Sequence, residues 1–261
     1  MTETLLDVAH AALQSGGEAE ALRFYQVLAD APLCLLLVRE VEGEAIEPQV
    51  FELTDGPVVL AFDSEDRLAG FQDSPAAYAT LPGRVIAQAL AGQGLWLGLN
   101  LGTGAASETL LPPEALAHLA ALLDVTPAEA KARPTAFAAP NLPQALDAAL
   151  TLALQGAVGL AAGAVLVAVT YDTGARGHLM ALVGASPAAE PALARAVAEA
   201  LAFAGLEAAA LDVTFLAPED PALRTMTAVG RAFAIAAPQP AELPPMPAAP
   251  GTDPSRPPRL R

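Results

Sequence analysis

Residues 148–171, AALTLALQGAVGLAAGAVLVAVTY, contain no charged side chain, and no other feature limits the fold so strongly. A run of this length can cross a bilayer, which takes ~20 apolar residues. Its Gly159-x-x-x-Gly163 spacing is one that membrane helices use for close packing. The internal pattern points elsewhere. Leu142, Leu146, Leu150 and Leu154 recur every four residues and stop at Gln155-Gly156, as in a single amphipathic helix with a glycine at its C-terminus. Ala164–Tyr171 is rich in valine and runs into Asp172-Thr173-Gly174, the pattern of a strand entering a hairpin. Asp147 and Asp172 stand at the flanks, where a membrane span would carry basic anchors. The stretch therefore predicts a core helix and a core strand, and no membrane segment.

The rest of the chain falls into similar units. With 261 residues it exceeds one typical domain. Thr4 and Asp7 have capping-box spacing before a first helix, and Glu18–Asp30 places Leu22, Tyr25, Leu28 and Ala29 on one face of a second. Leu33–Val38 is a continuous apolar run that suits a strand buried on both faces. Gln49–Leu53 and Val58–Phe62 flank Thr54-Asp55-Gly56-Pro57, a hairpin. Asp63 is placed to cap a short helix through Phe71. A strand at Ala76–Leu81, a helix at Gly83–Ala91 and a strand at Leu95–Asn100 follow. Pro112-Pro113 opens a helix through Leu123, and Thr126-Pro127-Ala128-Glu129 reads as another helix start. After the 142–155 helix come strands at Ala164–Tyr171 and His178–Val183, a helix near Pro187–Phe203, a strand at Leu211–Leu216, a helix near Glu219–Val229 and a strand at Ala232–Ile235.

The expected fold class is α+β, with two mixed α/β domains, each a small sheet with packed helices. The first spans 1–131 with a leading helix at 3–14. A proline-bearing linker at 132–141 separates it from a second domain at 142–235. Residues 236–261 hold nine of the 24 prolines and no apolar period, which predicts a disordered tail.

Charge and cysteine content narrow the function. The formal charge is −16, and Lys131 is the one lysine. Nucleic acid binding needs clustered cations to replace released counterions, so no nucleic acid partner is expected. Cys34 is the single cysteine, which removes disulfides within the chain and all-cysteine metal sites. Met1–Gln14 has acidic residues where a secretory leader would be basic. The expectation is a cytoplasmic protein.

The glycine-rich stretch GLWLGLNLGTGAASETLLPPEALAHL (94–119) is the best candidate for chemistry. A Walker loop needs a lysine and a hydroxyl after its last glycine. A dinucleotide fingerprint needs a third glycine and a helix starting inside the motif. Here Gly102-Thr103-Gly104 is followed by Ser107, and the helix starts only near Pro112, so both nucleotide readings fail. A strand followed by a turn with positive φ at the glycines remains. If the turn binds anything, Asn100, Gly102, Thr103 and Gly104 form the ligand or interaction site.

His10, His118 and His178 have no metal-ligand spacing and read as surface or edge residues. Cys34 sits in PLCLLLV, where an apolar surrounding suppresses the thiolate. No nucleophile-elbow motif occurs, and the carboxylates fall at helix starts and turns, where capping and solvation account for them. No cofactor, no metal and no catalytic residue is expected.

FYQVLADAPLCLLLV (24–38), VVLAFDSEDRLAGF (58–71) and GLWLGLNLGTGAASETLLPPEAL (94–116) resemble, in order, elements of the bacterial enhanced serine sensitivity (SseB) proteins. Residues 142–235 resemble that family's C-terminal domain. Where many members have an Asn-Pro-Gly turn, this chain has Asn100-Leu101-Gly102. The resemblance implies a non-enzymatic accessory or regulatory module linked to serine sensitivity that works through a protein partner. The alternative is a small-molecule binder or enzyme with a cleft near Asn100–Gly104.

Overall fold

The Thr4-x-x-Asp7 pattern closes as a capping box at the start of α1 (Leu5–Ser15). The Thr4 hydroxyl accepts the Asp7 N–H at 3.3 Å, and the Asp7 carboxylate accepts the Thr4 N–H at 2.9 Å. This computed structural model describes residues 3–41, 46–54, 56–72, 75–125, 132–206 and 211–237. The expected helix start at Thr126–Glu129 and the expected tail from Pro238 onward lie outside the described residues.

After α1 and α2 (Glu18–Asp30), the first sheet collects β1 (Pro32–Leu36), β2 (Val50–Leu53), β3 (Gly56–Phe62), β4 (Tyr78–Pro82), β5 (Trp96–Leu99) and β6 (Thr109–Leu111). The order is β4-β1-β3-β5-β6, with β2 beside the early part of β3. All pairings are antiparallel except β3 with β5, where Val58 faces Trp96 and Ala61 faces Leu99. The alternation of side chains splits the sheet into two faces. Leu33, Leu35, Val59, Ala61, Leu97 and Leu99 pack with α1, α2, α4 (Gly83–Leu90) and α5 (Pro113–Leu123). Cys34, Leu36, Val58, Leu60 and Phe62 face the other way, against Leu68 of the short α3 (Glu65–Phe71). The continuous apolar run of β1 is thus explained, since both of its faces are covered.

The charge-free stretch divides as its periodicity requires. α6 (Gln144–Gln155) ends at Gly156, and β8 (Gly163–Tyr171) forms a hairpin with β9 (Arg176–Val183). α7 (Glu190–Phe203), β10 (Leu211–Leu216), α8 (Pro221–Val229) and β11 (Arg231–Ala234) follow. The second sheet runs β10-β9-β8-β11, with β10 parallel to β9. α6 and α7 cover one face over Leu166, Met180 and Leu182, and Met226 of α8 covers the other over Val165, Val167 and Ala181. The fold is α+β, built on two mixed sheets. Among the described residues no helix is long and apolar enough to cross a membrane.

Two strands were not anticipated. β6 is only three residues long. β7 (Pro134–Ala138) lies inside the stretch expected as a linker and pairs antiparallel with Ala168–Tyr171 of β8, sharing that edge with β11. Pro134 is tolerable because it begins an edge strand.

The two halves meet through helices. Phe203 of α7 is buried with the first core, and Leu152 of α6 packs against it. The Gln26 side chain of α2, itself buried, donates to the Ala149 carbonyl of α6 at 2.8 Å.

Candidate functional site

The glycine turn is held by its own chain. Asn100, fully buried, adopts φ 51° and ends β5. Its side chain is spent on both sides: Oδ1 accepts the Asp63 N–H at 3.0 Å and Nδ2 donates to Ser107 Oγ at 2.8 Å. Thr103 Oγ1 donates to the Asn100 carbonyl at 2.7 Å. Gly102 and Gly104, both at positive φ, point their N–H groups at the two oxygens of Glu108, each at 2.9 Å. The turn does form an amide nest of the kind that binds anions, and Glu108 fills it.

Beneath the turn lies a cluster that the spacing of carboxylates along the sequence did not disclose. Asp7 on α1, Asp63 at the end of β3 and Arg67 on α3 converge, each with a side chain no more than 4% exposed. Arg67 donates to both Asp63 oxygens at 2.8 Å, to Asp7, and to Ser107 Oγ at 3.3 Å. Asp7 Oδ1 accepts the Ser107 N–H at 2.9 Å and the Ser107 hydroxyl at 2.6 Å. Thr4 Oγ1 donates to Asp63 at 2.7 Å. Among the described residues no buried side-chain nitrogen or oxygen lacks a partner.

The electrostatics follow from this packing. Burial alone would raise the Asp7 carboxyl, but hydrogen bonds from Arg67, Ser107 and the Thr4 and Ser107 amides hold it well below the usual carboxylate range. Burial alone would lower the Arg67 guanidinium, yet the Asp7 hydrogen bond and the charges of Asp63 and Asp7 raise it. The Asp7 and Asp63 carboxylates flank one guanidinium, and the groups that donate to them are fixed by α1, α3 and the 100–108 turn. Chemically the arrangement is a clamp that locks three segments in register.

Two expectations need correction here. His10 is buried rather than on the surface: its Nδ1–H donates to the Ala106 carbonyl at 2.7 Å, leaving Nε2 to accept from Gln14 at 3.3 Å. The reason is that α1 lies across the turn. The cap of α3 is Ser64, not Asp63, because Asp63 is turned inward to Arg67. Cys34 behaves as its surroundings predict, buried with its thiol pushed up by desolvation, against a weaker opposing hydrogen bond from Thr80. Of the residues named from the sequence, Asn100 joins the buried cluster, whereas Gly102 and Gly104 stay exposed around Glu108. Among the described residues no group of three or more His, Cys, Asp or Glu side chains is arranged to hold a metal ion.

The first half is thus an α+β unit of six strands with a buried Asp-Arg-Asp clamp tying its N-terminal helix to a glycine turn. Residues 6–118 match the family model described as the SseB protein N-terminal domain. The match starts within α1, so nearly all of the leading helix, which the motif resemblance left out, falls within the matched region. It also encloses Asp7, Asp63, Arg67, Asn100 and Ser107. No curated protein and no solved structure matches the chain.

Proposed function

We propose that this chain is a non-enzymatic accessory or regulatory module that acts by binding another protein in the cytoplasm, with the serine-sensitivity link of its family. In the same reading, residues 142–235 are the family's C-terminal domain. The observation that carries the binding role is an apolar surface on the arm after β1. Val38, Val41, Ile46, Val50 and Leu53 are all exposed within this short stretch. Glu40, Glu47 and Glu52 are exposed among them, with Arg39 paired to Glu47 at 3.0 Å. Exposed apolar residues gathered in one segment mark interaction surfaces more often than scattered ones do, and the carboxylates favour a partner carrying cationic groups.

Affinity capture from native lysate with the full chain and with a Val38→Asp/Val50→Asp variant tests this reading. A specific partner retained by the first and lost by the second is the expected result. Equal capture by both, or turnover of a metabolite by the purified chain, overturns it.

A second reading, a small-molecule binder at Asn100–Gly104, draws on the amide nest, since a ligand carboxylate or phosphate could take the place of Glu108. A thermal-shift panel of nucleotides, amino acids and inorganic phosphate discriminates the two, because a ligand that binds only the folded chain raises Tm. A shift enlarged by Glu108→Gln favours the binder, and no shift with either chain favours the interaction module.

A further inference from the structure

An open groove of about 320 Å³ runs between the two halves, with α2 and α4 contributing from the first and α6 and α7 from the second. Ligand clefts span roughly 300–1,000 Å³ and favour the seams between domains, so this one suits a small molecule. Ala153, Ala157, Ala192, Ala196, Leu193 and Phe203 give it apolar walls. The charged residues of its lining are Asp30, Arg84 and Glu199. Arg84 is bridged to Asp30 and, at 2.8 Å, to Glu199 Oε2, which leaves the lining with one more carboxylate than guanidinium.

Two buried side chains, one from each half, are only half used here. Gln26 of α2 donates through Nε2 to the Ala149 carbonyl, and Glu199 of α7, with a side chain 6% exposed, accepts from Arg84 through Oε2. Among the described residues nothing donates to Gln26 Oε1 or Glu199 Oε1. Yet no sealed side-chain oxygen among those residues lacks a partner. Both oxygens are therefore open to solvent, and the space that both side chains line is the groove. A bridge between the halves accounts for Glu199 Oε2 and Gln26 Nε2 and leaves these two acceptors over.

We propose that the groove binds a small organic ammonium, a primary amine on a short apolar body. Its N–H groups donate to Gln26 Oε1 and Glu199 Oε1, its charge offsets the surplus carboxylate, and its carbon chain lies along the alanine walls. Hydrogen bonds in which the donor is ionised are the stronger kind. An anion would meet acceptors where it needs donors. A metal ion lacks a ligand set, since no group of three or more His, Cys, Asp or Glu side chains among the described residues is arranged to hold one. The groove shares no residue with the Val38–Leu53 arm or with the Asn100–Gly104 turn, so the inference stands or falls apart from both readings above.

Titration of the full chain with propylammonium chloride at constant ionic strength, followed in ¹⁵N-edited spectra, tests it. Saturable shifts are expected at the amides of Ala153, Ala192 and Ala196 and at the Gln26 side-chain NH₂, while Gly102 and Gly104 stay where they are. Tetramethylammonium, a cation without an N–H, and propionate, an anion of similar size, should bind more weakly by about tenfold or more, the worth of a hydrogen bond between charged groups. Glu199→Gln keeps the shape of the side chain and should weaken propylammonium by a similar factor. Because that variant also loosens the bridge to Arg84, Ala196→Leu serves as a second: the position is half-buried, and the added carbons occupy the groove with every charge in place, so the shifts should vanish. The proposal is overturned by shifts that do not saturate, by shifts centred on Gly102 and Gly104, by an equal response to tetramethylammonium or propionate, or by unchanged affinity in either variant.

Discussion

Asp7 serves two structures at once, accepting the Thr4 N–H that starts α1 and the Arg67 guanidinium that ties α1 to α3. Replacing it by asparagine keeps the shape but takes one carboxylate away from Arg67, and removing a partner from a buried pair costs about 3 kcal/mol. Urea denaturation of Asp7→Asn should show a loss of that order, with an unchanged m value. The acid response has a definite sign. Because the folded carboxyl sits below its unfolded value, the unfolded chain takes up the proton first on acidification. The contribution of Asp7 is therefore complete at neutral pH and decays as pH falls from about 5 downward. Tm measured from pH 7 to pH 3 should drop through this window, and the drop should be smaller in Asp7→Asn. Asp7 was legible as a capping residue because its partner lies three positions away. Its bond to Arg67 was not, since sixty residues separate them and nothing in local spacing encodes which buried cation a carboxylate will meet. The same holds for His10, whose acceptor is a backbone carbonyl 96 positions on.

At the scale of elements, α4 is fixed by its first residue. A Cβ on Gly83 would come within 1.9 Å of the Leu28 carbonyl oxygen, and that oxygen belongs to the backbone of α2. The Gly83 N–H also donates to Ala31 at 2.9 Å. Gly83→Ala should therefore push α4 off α2 and cost about 3 kcal/mol or more, because backbone cannot yield as a side-chain tip does. The chemical denaturation midpoint measures it, with Gly70→Ala as a comparison in which a Cβ meets nothing within 4 Å. Helices and long strands were readable from periodicity, as Leu146, Leu150 and Leu154 show by lying in one core. β6 and β7 were not readable. Three residues cannot display an alternation, and the five of β7 owe their conformation to the edge of β8 rather than to their own pattern.

For the molecule as a whole, the shared helical seam decides how it unfolds. Phe203 lies in the first core although α7 belongs beside the second sheet, and Gln26 reaches the backbone of α6. Calorimetry of the full chain should give one transition whose calorimetric and van't Hoff enthalpies agree. Phe203→Ala, at a cost of about 4 kcal/mol, should weaken the seam enough to separate two transitions. Two transitions in the unaltered chain would refute the coupling, and a single transition in both chains would refute the part given to Phe203. The two sheets could be foreseen from the order of apolar runs, but the seam could not, because the residues that form it lie on faces already counted as belonging to their own halves.

β7 also bears on any attempt to divide the protein. A cut at residue 142, where the composition suggests one, would take Pro134–Ala138 away from the edge of β8 and bare the backbone of Ala168–Tyr171. That edge reads AVTY, apolar and uncharged, a template on which copies can stack. A second half begun ahead of Arg133 would keep its own guard strand, and solubility on expression should follow the presence of those few residues.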